Sequence, residues 1–143
     1  MQSELYLGTS GADPARVAGE GADGVVFNGV ANQYDHDPLP ARVGERVRIW
    51  VLDAGPNRPS SFHVVGGQFD TVFSEGAWLL RPPGADGGGG GGGVGGAQAL
   101  ALMPAQGGFV ELVLPDAGHY PFVSHVMVDA ERGAHGVLEV TGP

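Results

Sequence analysis

The chain has no cysteine and no lysine, and nowhere does it carry a long hydrophobic run. Without cysteine there can be no disulfide, no thiolate metal ligand and no thiol nucleophile, while the redox compartment stays open. The seven basic residues, all arginine, face 16 acidic ones, giving a formal net charge of −9 and a pI near 4.7. Nucleic acid and anionic membrane are bound by clustered cations, so neither is an expected partner. No apolar run approaches the roughly 20 residues that span a bilayer. The opening Met1-Gln2-Ser3-Glu4-Leu5 lacks the basic and apolar regions of a signal peptide, so none is expected. Two catalytic signatures are missing as well. There is no Gly-x-Ser-x-Gly elbow, and the glycine run does not end in the Gly-Lys-Ser/Thr of a phosphate loop.

What the 143 residues do contain is 27 glycines, 11 prolines and 42% hydrophobic residues, the composition of one sheet domain with many turns. Residues 1–24 read as an extended lead-in with weak structure, and 25–143 as the domain proper. Val25-Val26-Phe27 is an expected strand ending at the turn dipeptide Asn28-Gly29, and residues 31–40 form a polar loop. From Glu45 to Leu52 the residues alternate, with Val47, Ile49 and Val51 on one face, which predicts a half-buried strand. Further strands are expected at 61–65, 69–73, 99–103, 109–114, 120–128 and 136–140. Residues 81–96, with seven consecutive glycines from Gly87 to Gly93, read as a flexible loop. Only Val128–Arg132 has a helical look, for about one turn. Eight short strands punctuated by turns imply an all-β Greek-key sandwich or barrel.

Five histidines, at 36, 63, 119, 125 and 135, together with Met127, are the candidate soft donors for a transition metal. His119 and His125 share strand parity but stand roughly 20 Å apart on a continuous strand, too far for one ion. His125 and Met127 lie on one face about 7 Å apart, although Met127 also suits a core position. His63, in Ser60-Ser61-Phe62-His63-Val64-Val65, suits a buried histidine bonded to backbone. Asp35-His36-Asp37 is a weak surface cation site or a solvated turn. His119 is expected at an exposed turn, and His135 in a structural role.

Four stretches resemble the second cupredoxin domain of copper-containing nitrite reductases and related multicopper oxidases. They are Val25–Gly29 with Ala41–Ile49, Ser60–Gly66, Pro115–His125, and Arg132–Val140, with Glu4–Gly8 similar to the segment just upstream. The resemblance implies a cupredoxin-like Greek-key β-sandwich in which His125 is a ligand of a type 2 copper and His63 relays protons beside the substrate. It implies, further, that the other type 2 ligands and a type 1 copper belong to a partner cupredoxin domain or to identical subunits of a homotrimer. No type 1 copper is expected in this chain. Nitrite or dioxygen would be the substrate, an oxidoreductase the whole, and the isolated chain inactive. The family resemblance suggests a periplasmic or extracytoplasmic location. The alternative is a copper-free cupredoxin acting as a structural or oligomerisation module.

Overall fold

The computed structural model describes residues 1–8, 11–81 and 95–142, with the backbone alone at 11 and 12. The chain opens with β1 (Gln2–Leu5), the two-residue strands β2 (Leu7–Gly8) and β3 (Gly11–Ala12), and a short helix α1 (Pro14–Ala18). It continues through β4 (Gly24–Phe27), α2 (Gln33–His36), β5 (Leu39–Arg42), β6 (Arg46–Leu52) and β7 (Ser60–Val64). The second half holds β8 (Thr71–Ser74), β9 (Ala77–Leu80), β10 (Ala99–Leu102), β11 (Gly107–Val113), β12 (Gly118–Ser124), α3 (Met127–Glu131) and β13 (His135–Thr141).

Two sheets face each other. One has the order β10-β7-β12-β13-β5 and the other β6-β11-β8-β9. All neighbours are antiparallel except β13 and β5, which run parallel along an edge. Between the sheets lie Phe62, Val64, Phe69, Val72, Leu100, Leu102, Val110, Leu112, Phe122, Leu138 and Val140, all buried. The strict alternation of β7, with Phe62 and Val64 inward, turns Ser61 and His63 to the outer surface. In β12, Phe122 and Ser124 point inward, so Pro121, Val123 and the following His125 point outward. The site follows from these two parities.

Several expectations need correction. Residues 1–8 are not weakly structured, because β1 pairs with β4 and bridges to Asp53, and Gln2, Glu4 and Tyr6 are buried. The segment 31–40 is not wholly a loop, since it forms α2 and begins β5. Residues 77–80 add strand β9, paired to β8. Met127 is no core residue; it is the first residue of α3 and 51% exposed, because the chain leaves the sheet after Ser124. The glycine-rich loop expected at 81–96 lies, for residues 82–94, outside the described residues.

The outer face of the second sheet is aromatic. Trp50, Phe73, Trp78 and Phe109 form a contiguous cluster with ring centroids 4.7–5.6 Å apart. The Arg48 guanidinium lies 4.3 Å above the Phe109 ring and pairs with Glu111 on the adjacent strand.

Candidate metal centre

His63 stands in the middle of β7, opposite Val123 of β12 and Ala99 of β10. His125 follows β12, and its backbone N–H donates to the Ser61 carbonyl at 2.7 Å. That bond extends the β12–β7 ladder by one residue and puts His125 opposite Ser61. The two histidines are therefore diagonal neighbours on one face of one strand pair. Their ring centroids are 5.5 Å apart and the ring planes are inclined by 64°. On the far side of β7 the facing residues are Ala99 and Ala101, both exposed, so the imidazoles stand above a floor of small side chains.

The two rings are held differently. His63 is half-buried, and its Nδ1–H donates to the Gln98 carbonyl at 2.5 Å. This places the proton on Nδ1 and leaves the Nε2 lone pair available. The His125 side chain is exposed and makes no hydrogen bond among the described residues. Its backbone, by contrast, is tied on every side. Ser124, fully buried, donates its N–H to the Ala134 carbonyl at 2.9 Å, and its hydroxyl accepts from Ser61 N–H at 3.4 Å. Just downstream, buried Asp129 accepts from Arg58 Nε at 2.5 Å, which fixes α3 to the chain entering β7. Asp129 also anchors the return into β13, its carbonyl accepting from Ala134 N–H at 2.9 Å.

The remaining histidines are elsewhere. His135 donates from Nδ1 to the Ala130 carbonyl at 2.7 Å and from Nε2 to Asp35 at 2.8 Å. Burial opposes its charge, but these two acceptors outweigh it and the pKa is raised above the ordinary histidine value. Asp35 is thereby drawn out of the Asp35-His36-Asp37 cation site, and His36 is exposed at the end of α2. His119 is exposed, though on β12 and not at a turn, and lies 3.7 Å from Glu139. Among the described residues no three His, Asp or Glu side chains converge as a metal-binding group. The structure thus brings His63 and His125 together and leaves the other three histidines apart. Sequence reasoning missed the carbonyl of Gln98 and the Arg58–Asp129 pair. The latter spans 71 residues, and no local signal announces it.

The copper-containing nitrite reductases of Neisseria gonorrhoeae and of Neisseria meningitidis serogroup B are each 35% identical over 99% of the chain. The chain is a cupredoxin domain of the copper-containing nitrite reductase family. It spans only 35% of the length of either Neisseria protein. Among solved structures, the cupredoxin domain matches a Cu-containing nitrite reductase from Thermus scotoductus with TM-score 0.80 and 32% identity, covering 98% of this chain and 29% of that one. The copper nitrite reductase from Nitrosomonas europaea gives TM-score 0.78 and 32% identity, covering 98% of this chain and 47% of that one. A multicopper oxidase at 23% identity, with TM-score 0.72, shares the fold. No family-wide sequence profile matches the chain.

Proposed function

We propose that this cupredoxin domain supplies His125 as one ligand of a type 2 copper at an interface, with the remaining ligands brought by another domain or subunit. The observation that supports this most is the His125 imidazole itself, exposed and, among the described residues, without a hydrogen bond, at a strand end whose backbone is hydrogen-bonded to its neighbours. The donor chemistry fits, since imidazole suits copper. One imidazole holds the ion weakly, so further donors must come from beyond this chain.

Bound copper would deliver the electron and polarise the substrate, nitrite or dioxygen. His63 would move the proton. Its Nδ1–H stays on the Gln98 carbonyl in both protonation states, so the proton taken up and released is the one on Nε2. For nitrite the balance is one electron and two protons in, nitric oxide and water out. The electron must come from a type 1 centre outside this chain, because a cysteine is needed and none is here. A homotrimer of such units and an extracytoplasmic location belong to the same proposal.

The test is copper content by elemental analysis, for the chain alone and for the chain mixed with its type 1 copper partner domain. One copper per chain appearing with the partner, and lost in His125→Ala, is the expected result. Partner-dependent copper that survives His125→Ala defeats the proposal. A copper-free assembly module is the alternative, favoured by the apolar outer face with Trp50 at 65% and Leu79 at 57% exposure. It predicts partner binding with no copper in either condition.

A further inference from the structure

β12 ends at Ser124, so His125 stands one residue past the strand. Its backbone N–H, on the Ser61 carbonyl at 2.7 Å, makes the last rung of the β12–β7 ladder. Terminal rungs open first, and the α3 that follows starts at Met127 with no side-chain cap from Val126. The rung is held from the far end of the turn. We propose that Arg58 and Asp129 are positioning residues, whose ion pair clamps the His125 backbone and so sets the direction of its imidazole. This rests on the reading of His125 as a copper ligand and extends it to two residues that do not themselves ligate.

A closed ring of contacts carries it. Two residues, Pro59 and Ser60, separate Arg58 from Ser61, and three, Val126, Met127 and Val128, separate His125 from Asp129. The Ser61–His125 hydrogen bond joins the two arms at one end, and the Arg58 Nε–H on the Asp129 carboxylate at 2.5 Å joins them at the other. Each arm is also tied to its surroundings. Glu4 accepts the Arg58 backbone N–H at 2.6 Å, and the Asp129 carbonyl accepts from Ala134 N–H at 2.9 Å. The Asp129 N–H donates to the Val126 carbonyl at 2.8 Å, so a shift of Asp129 is passed to the residue after His125. Asp129 is fully buried and the Arg58 side chain only 22% exposed, so water competes little for the pair. A guanidinium suits this task because its Nε–H is fixed in a rigid plane, whereas an ammonium is a point charge on a flexible stem. Neutralising Asp129 would ask only for a nearby cation; closing the ring asks for a donor with this direction.

The experiment compares the natural full chain with Arg58→Lys, which keeps the charge, and with Arg58→Met combined with Asp129→Leu, which strands no buried charge. Circular dichroism controls the fold of each. The first readout is native-state hydrogen exchange by NMR on the chain without metal, as the ratio of the His125 amide rate to that of buried Val110 in β11. Lower global stability speeds the Val110 amide at least as much, so it cannot raise that ratio. The ratio is expected to rise about tenfold or more in the double variant, and in the same direction in Arg58→Lys, which carries the test if the double variant fails to fold. An unchanged ratio overturns the clamp. The second readout is copper taken up with the type 1 copper partner domain. The double variant should bind it about tenfold or more weakly, with altered copper hyperfine coupling in electron paramagnetic resonance. Copper held as tightly and with the natural spectrum also overturns the clamp. Copper absent from the natural chain with its partner defeats the interface reading instead, and the exchange ratio then decides the clamp by itself.

Discussion

At the scale of single residues, the most consequential pair after the histidines is Arg58 and Asp129. Asp129 is fully buried, one carboxylate oxygen takes the Arg58 Nε–H, and the other has no hydrogen-bond partner among the described residues. Glu4 and Asp53 are buried close by, and burial first, then the neighbouring Glu4 and Asp129 charges, raise the Asp53 pKa. Arg58 is thus the cation that makes a buried acidic cluster tolerable. Arg58→Met leaves an uncompensated charge and is expected to destabilise the fold by about 3–5 kcal/mol in urea unfolding. Arg58→Met with Asp129→Leu should lose less than the two single changes summed, since the double variant strands no charge. His135 gives a prediction of opposite pH character. Its folded pKa lies above the unfolded value, so the protonated pair with Asp35 stabilises fully below about pH 6.5. That contribution fades as pH rises through the raised pKa. Both side chains are about a third exposed, which limits the effect to about 0.5–1 kcal/mol. The gap in urea midpoint between the natural chain and Asp35→Asn should therefore be wider at pH 6 than at pH 8.5.

At the scale of elements, β1 shows where hydrophobic patterning succeeds and where it does not. In β6 the inward positions are Val47 and Ile49, half-buried, and Val51, buried, so alternation marks the strand in the sequence. In β1 the buried positions are Gln2 and Glu4, and the pattern is inverted. Gln2 accepts from the Ser60 hydroxyl at 2.8 Å, and Glu4 accepts from the backbone N–H groups of Asn57 and Arg58 at 2.7 and 2.6 Å and from the Tyr6 hydroxyl. These partners are more than fifty residues away for all but Tyr6, so no local window shows why polar side chains belong inside. β5 was hidden for a different reason. Leu39-Pro40-Ala41-Arg42 carries a proline, which suits only an edge, and among the described residues its one strand neighbour is β13. The site was legible in part. Residue type and resemblance single out His63 and His125, whereas their 5.5 Å approach depends on the β7–β12 register, which one sequence does not state. Because β1 seals Val25 and Val26 and satisfies the chain entering β7, a truncated chain beginning at Gly24 should lose at least about 3 kcal/mol by urea unfolding. An unchanged midpoint would mean that β1 is an ornament on the sandwich.

At the scale of the whole molecule, the metal-ligating candidates and the core are kept apart. Both imidazoles are on the outer face of the five-stranded sheet, while the interior is Phe62, Val64, Leu100, Val110, Leu112, Phe122 and Leu138 with no histidine among them. The interior therefore closes without an ion, unlike a zinc finger whose ligands are also its core. An ion bound at the surface adds only the mass-action term, RT ln(1 + [L]/Kd), to the stability of the folded state. Excess chelator should accordingly leave the melting temperature of the untagged chain within about 1 °C of its metal-free value, while saturating Cu(II) at 100 Kd should raise stability by about 2.7 kcal/mol. Differential scanning calorimetry with EDTA, without it and with Cu(II) separates these cases. Unfolding on chelation would require a metal between the two sheets, where the structure puts hydrocarbon side chains.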